Sequence, residues 1–182
     1  MTSQDKDNVP ALEVRDLAVE FKVTDGSVKA VRGVSFSVNA GETLAIVGES
    51  GCGKSVTMMS LMGLVAESDK CSVRGSAKLN GREILGLDVS ALNEIRGVEI
   101  GMVFQDPMSA LNPTMKVGDQ IAETLMVHQG MSKPEALKRA VALLDRTKIP
   151  EPETRAEQYP FEFSGGMLQR AVIAMSLACN PS

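Results

Sequence analysis

Several things are scarce in this chain of 182 residues, and each scarcity narrows what it can be. There is no tryptophan, one tyrosine and five phenylalanines, while methionine is plentiful at eleven. Met58, Met59 and Met62 are therefore expected to fill core space beneath a helix. Cysteine occurs three times, as Cys52, Cys71 and Cys179. The odd number and wide spacing fit a reducing cytosol better than a disulfide framework, and no metal-ligand spacing occurs among them. No apolar run approaches the roughly 18 residues that span a bilayer, and the longest candidate, Ala171 to Cys179, is about half that. The opening MTSQDKDNVP is polar and acidic, which excludes a signal or transit peptide and suggests a frayed tail. A formal charge of -4 argues against nucleic-acid binding and against docking on anionic lipid. Repeats and low-complexity segments are absent.

What remains is the composition of an ordinary soluble domain, 43% apolar and 23% charged. Residues 11–21 and 28–38 alternate apolar and polar side chains, as half-buried antiparallel strands do, with a turn at Asp25-Gly26. Glu42 to Val47 is a short, nearly continuous apolar run, the pattern of a fully buried parallel strand. A helix is expected over Ser55 to Val65, stopped around Gly63. Asn80-Gly81 signals a hairpin, residues 90–97 a short helix, and Glu99 to Gln105 a second buried strand. Pro107 and Pro113 then break the chain. A helical period follows over 117–130 and again over 131–149, where Ser132 and Glu135 have capping-box spacing and Pro134 suits the first turn. Pro150 and Pro152 end that helix. A linker leads to a last helix from Ser164. The organisation expected is a strand-rich core over 10–106, a helical insertion over 107–163, and a final helix over 164–182.

The chemistry sits in Gly48-Glu49-Ser50-Gly51-Cys52-Gly53-Lys54-Ser55, which matches G-x-x-x-x-G-K-[ST] between an expected strand and an expected helix. Glycines remove Cβ atoms, so successive backbone N–H groups can curl around an anion. The helix that follows aims its unpaired N–H groups and positive dipole end at the same point. Lys54 can reach the β- and γ-phosphates of a nucleoside triphosphate, and Ser55 can place a hydroxyl on Mg²⁺. Cys52 reads as a tolerated small residue.

Three other segments bear on which phosphate-loop protein this is. Gln105 ends an expected buried strand, which puts it near the phosphates of a parallel sheet, although such a residue alone is more often a surface turn. Ser164, Gly165 and Gly166 open a helix with hydroxyl and N–H donors, which alone would be a helix cap. Phe21, in an early strand, would by itself be core.

Taken in sequence, GESGCGKS, MVFQDPMSALNP and FSGGMLQR resemble the ATP-binding subunit of an ABC transporter, over nearly the whole chain. The fuller stretches GETLAIVGESGCGKS, FQDPMSALNP and YPFEFSGGMLQR are similar to the subfamily that imports oligopeptides, dipeptides or nickel. The resemblance implies an α/β P-loop NTPase fold: N-terminal antiparallel strands, a RecA-like parallel-sheet core, here incomplete, and a helical insertion. It implies that ATP and Mg²⁺ are the cofactors, with Gly48 to Ser55 as Walker A and Val56 beside it, and Phe21 stacked on adenine. Gln105 would touch Mg²⁺ or the attacking water and sense the membrane subunits. Ser164, Gly165 and Gly166 would contact the γ-phosphate of ATP held by a second ATPase subunit, in a homo- or heterodimer. The helical insertion would dock on integral membrane permease subunits, with an extracytoplasmic solute-binding protein acting indirectly. Such a subunit would lie peripherally on the cytoplasmic face of the cell (inner) membrane, without nucleic-acid partners.

The chain departs from that pattern in places. Met167 stands where many members have Gln, Leu168 where the residue is often basic, and Val56 where Thr is common. An ABC ATPase also needs an apolar strand ending in Asp-Glu and a histidine that contacts the γ-phosphate. The best match, VALLD, ends at Asp145 inside a capped helical pattern and is followed by Arg146. The one histidine, His128, lies upstream of the signature segment. The expectation is a truncated chain that binds nucleotide weakly, hydrolyses essentially none and exposes apolar surface. The competing readings are a nucleotide-binding remnant without a transport role, a soluble non-transport ABC-type ATPase, and a small NTP-dependent kinase, which would not need FSGGMLQR.

Overall fold

The computed structural model describes residues 9–65 and 70–181, so the expected N-terminal tail falls almost wholly outside the described residues. The chain divides into two compact units, Met1–Leu92 and Asn93–Ser182.

In the first unit, β1 (Leu12–Val23) and β2 (Gly26–Val38) form the expected hairpin. β3 (Cys71–Leu79) pairs with the other edge of β1, and the short β4 (Arg82–Glu83) closes the sheet in the order β2-β1-β3-β4, antiparallel throughout. The β3–β4 turn is the expected Asn80-Gly81, with φ of 49° and 83°. Both central residues of a type I′ turn need positive φ, which is why Asn-Gly signals it. β1 does not alternate perfectly. A bulge at Arg15-Asp16 slips the register, so Val14 and Leu17 are both buried although three residues apart. The Asp16 N–H, freed from the ladder there, donates to Ser35 Oγ at 2.8 Å. Helix α1 (Lys54–Leu61) is shorter than expected, and Gly63 follows its end in the left-handed region. Val19, Val31 and Cys71 form a small buried cluster, against which Phe21, Val56, Val65 and Val73 pack.

Two strand expectations fail. Residues 42–47 are irregular, and 99–105 hold only an isolated parallel bridge, Ile100 to Arg96, so neither run forms a ladder among the described residues. Leu44 and Ile46 are each 42% exposed, Val47 is 88% exposed, and Val103 and Phe104 are about two-fifths exposed. An apolar run becomes a buried strand only when parallel neighbours accept its N–H and C=O groups and cover both faces. No described strand does this for either run, so no parallel sheet is formed among the described residues.

Helix α2 (Val89–Ile95) is the short helix expected over 90–97. The second unit is helical. α4 (Val117–Gln129) buries Val117, Ile121, Ala122 and Leu125, α5 (Lys133–Arg146) buries Ala136, Ala140, Leu143 and Leu144, and α7 (Gly165–Ser176) buries Leu168, Ala171, Val172 and Ala174. Each set follows the three-and-four spacing of one helix face, and together they form most of one core. α4 ends at Gly130 in the left-handed conformation. At the start of α5 the Glu135 carboxylate accepts from the Ser132 N–H at 3.2 Å and from its hydroxyl, as the capping-box spacing foretold. Three short helical turns lie where only breaks and a linker were expected: α3 (Pro107–Ala110), α6 (Pro152–Ala156) and a 3₁₀ turn over Pro160–Glu162. All three begin with proline, whose fixed φ suits the first helical position. No described helix is long and apolar enough to cross a membrane.

Candidate functional site

The loop from Gly48 to Gly53 is closed by its own lysine. The Lys54 ammonium donates to the carbonyls of Gly48 and Glu49, each at 2.7 Å, and lies 3.4 Å from Cys52 Sγ. A further bond from the Cys52 N–H to the Glu49 carbonyl, 3.3 Å, tightens the turn. With these carbonyls turned toward Lys54, the loop's remaining amides are free to face a ligand. Gly53 is the N-cap of α1 with φ of 98° and no side chain that could occupy the first-turn amides. Its carbonyl takes both the N–H and the hydroxyl of Thr57, at 2.9 and 3.0 Å, which anchors the loop to a buried point of the helix.

Close approach explains two of the glycines. A Cβ on Gly53 would lie 2.3 Å from the carbonyl oxygen of Ala30 in β2, and one on Gly48 would lie 2.7 Å from Cys52 Sγ. The first neighbour is backbone and cannot rotate away. Glu49, Ser50, Gly51, Cys52 and Ser55 are exposed at the mouth of the loop. Phe21 is half-buried on the same Val19–Val31–Cys71 cluster as Val56, so an early strand and the loop's helix share one footing. These groups bring together a helix start without a side-chain cap, an ammonium held by two loop carbonyls and an exposed hydroxyl.

In the second unit, Gln105 is exposed at a bend just before α3, and Asp106 caps that helix by accepting from the Met108 N–H at 3.0 Å. Ser164 is the N-cap of α7, accepting from the Met167 N–H at 3.4 Å through its hydroxyl. Gly165 and Gly166 are exposed, and a Cβ on either would meet nothing within 4 Å. Unlike Gly48 and Gly53, these glycines are not required by packing. Just before them, Tyr159 and Phe161 stack with ring centroids 5.6 Å apart, and Phe161 is 70% exposed. Asp145 lies exposed on α5, and His128 is exposed at the end of α4.

Residues 31–182 match the family described as ABC transporter. The chain belongs to that family. Among curated ABC relatives, the oligopeptide transport ATP-binding protein OppD of Salmonella typhimurium is 55% identical over 170 residues, covering 93% of this chain and 50% of OppD. The dipeptide transport ATP-binding protein DppD of Bacillus subtilis is 50% identical over 170 residues, covering 93% of this chain and 51% of DppD. The chain thus spans about half the length of the curated relatives it matches. Among solved structures, the dimeric ATP-binding cassette MJ0796 in a post-hydrolysis state, bound to ADP and Pi, superposes with a TM-score of 0.82 at 29% identity. That match covers 93% of this chain and 70% of the other. The α/β ABC ATPase fold expected from the sequence is therefore present in part.

Sequence reasoning missed some of what shapes the site. Nothing in the sequence marks the Ala30 carbonyl beneath Gly53, because a backbone contact leaves no residue signature. Cys52 does more than fill space, since its sulfur sits against both Gly48 and Lys54. Thr57 carried a weak signal, one of two polar residues, with Ser60, on the buried face of its helix.

Proposed function

We propose that this chain is the ATP-binding, energy-coupling part of an ABC importer for oligopeptides or dipeptides. The observation that carries the reading is the lysine-closed loop on a glycine-capped helix, a cradle that excludes side chains and offers amides. ATP, when bound, supplies the phosphoanhydride whose hydrolysis drives the transport cycle. The amides from Glu49 to Val56 would hold its phosphates, and Lys54 would exchange its two carbonyl acceptors for phosphate oxygens. Ser55 would supply an oxygen to Mg²⁺, and Phe21 a face for the adenine, while Gln105 keeps the Mg²⁺- or water-contacting role that the resemblance implies. Ser164, Gly165 and Gly166 would contact ATP held by a second subunit, which fits the clearance around both glycines and the free amides of α7. The printed names of OppD and DppD support the peptide class, and the dimeric state of MJ0796 supports the pairing.

Membrane permease subunits are the proposed docking partners of the helical region, with the chain peripheral on the cytoplasmic side. A cavity of about 390 Å³ there, lined by Met115, Met126 and Tyr159 with Lys116, Asp119 and Lys133, has the mixed apolar and charged character of a transient interface. Hydrolysis by these 182 residues alone is not part of the reading. His128 and Asp145 sit on helix surfaces, away from the end of any described strand.

Titration with ATP and Mg²⁺ tests the proposal. A charge-assisted hydrogen bond contributes roughly 1.5–3 kcal/mol, so Lys54→Ala should bind ATP about tenfold more weakly or worse. Equal affinities would remove the phosphate-loop assignment. Steady turnover by the wild-type chain, abolished by Lys54→Ala, would overturn the inactivity. Co-purification with integral membrane subunits separates the transport reading from a soluble ATPase.

A further inference from the structure

The sheet of the first unit carries a second charged concavity. The cross-strand register places Ala18 between Arg32 of β2 and Arg74 of β3, and Glu20 between Lys29 and Ser72. These six residues, with Val19 and Val31, line a cavity of about 330 Å³. Successive odd or even positions of a strand share a face, so Ala18 and Glu20 lie in line, as do Ser72 and Arg74. Three exposed cations therefore border one concavity around Ala18, with a single carboxylate among them, in a chain whose formal charge is -4.

Arg74 donates through Nε to the Ser72 hydroxyl at 3.3 Å, and the one internal anion does not saturate the three cations. Glu20 meets Arg74 at 3.3 Å, longer than the roughly 2.7–2.9 Å of a good charge-assisted bond. The Ser27 hydroxyl, then Lys29, Arg74 and Lys22, hold its carboxyl below the usual carboxylate range, so the local field already favours an anion. Arg32 and Arg74 sit on strands two spacings apart, about 10 Å, and alanine between them leaves the gap open. Two guanidinium forks across such a gap suit a phosphoryl group, whose oxygens can accept from both sides at once. The volume is at the low end for small-molecule sites, about 300–1,000 Å³. A single concavity in an acidic chain is a poor fit for a polyanion or a charged membrane surface.

We propose that this cavity binds the phosphoryl group of a small soluble molecule between Arg32 and Arg74, with Lys29 and Ser72 behind it, as a site separate from the Gly48–Ser55 loop. Inorganic phosphate is the probe, titrated into the isotopically labelled full chain and followed by amide chemical shifts. The Lys54→Ala background suppresses phosphate at the loop. The expected result is a saturable response at the amides of Ala18, Lys29, Arg32, Ser72 and Arg74. It should weaken tenfold or more in Arg32→Ala/Arg74→Ala and tighten several-fold in Glu20→Gln, which removes the internal competitor. Both arginines are exposed and Glu20 is half-buried, and circular dichroism checks that each variant is folded. If the double variant unfolds, the Glu20→Gln arm still decides. A linear, unsaturated response, a response unchanged in the double variant, no tightening in Glu20→Gln, or shifts confined to residues 48–55 of the unsubstituted chain would each overturn the proposal. So would binding to phosphatidylglycerol vesicles that needs both arginines without any saturable response to phosphate, since that assigns the cluster to a lipid surface.

Discussion

Replacing Gly53 by alanine should separate backbone geometry from side-chain chemistry at the phosphate loop. The new Cβ would lie 2.3 Å from the Ala30 carbonyl oxygen and would sit on a residue whose φ is 98°. Holding an L-residue in a sparsely populated backbone region costs about 1–3 kcal/mol. The clash adds to this, because Ala30, which has no partner in β1, lies between two residues, Lys29 and Val31, that the ladder holds. The chain must either absorb the cost or let the loop leave its seat. In the first case the first unit loses about 2–4 kcal/mol, and a domain of this size shifts by roughly 4–8 °C per kcal/mol. In the second, stability recovers but the Gly53 carbonyl leaves Thr57, the loop amides scatter, and ATP affinity falls at least tenfold. Thermal unfolding and ATP titration on the same sample distinguish the two. Wild-type stability together with wild-type affinity would refute the reasoning, because it would mean that the Ala30 contact does not seat the loop.

Gly166→Asp should behave in the opposite way. There is open space around the site and a helix start tolerates an acid, so stability holds within about 0.5 kcal/mol in urea denaturation. ATP-dependent pairing of subunits, measured by sedimentation velocity, should nonetheless be lost through charge repulsion. Gln120→Met should destabilise the second unit by about 2–4 kcal/mol in the same denaturation assay, because buried Gln120 bonds the N–H and carbonyl of Asn112 and the carbonyl of Met115. The hydroxyl of Ser132, then its backbone N–H, hold Glu135 below the usual carboxylate range. A depressed folded-state pKa adds stability that is present above the unfolded value, about 4.3, and is lost as pH falls through the folded value. Acid unfolding followed by helical circular dichroism should therefore show a shallower pH dependence below about pH 4.3 in Glu135→Gln.

Local rules made much of the chain readable in advance. Asn80-Gly81, the Ser132–Glu135 cap, Gly130 at the end of α4 and the apolar faces of α4, α5 and α7 each depend on a few neighbouring residues, and each appears where its pattern placed it. The phosphate loop was legible for the same reason, since its glycines, lysine and serine are contiguous. The two apolar runs were misread because their pattern describes an environment rather than a conformation. A strand at 42–47 or 99–105 exists only if other strands flank it.

The order of residues alone determined the turns, the caps, the helical faces and the glycine-rich loop closed by Lys54, since those depend on interactions a few residues long. Tertiary structure decided the rest. It set the Ala30 carbonyl under Gly53, the bulge that lets Val14 and Leu17 both be buried, the clearance around Gly165 and Gly166, and the gathering of Lys29, Arg32 and Arg74 around Ala18. These depend on which distant backbone segment arrives alongside, and no short stretch of sequence carries that information.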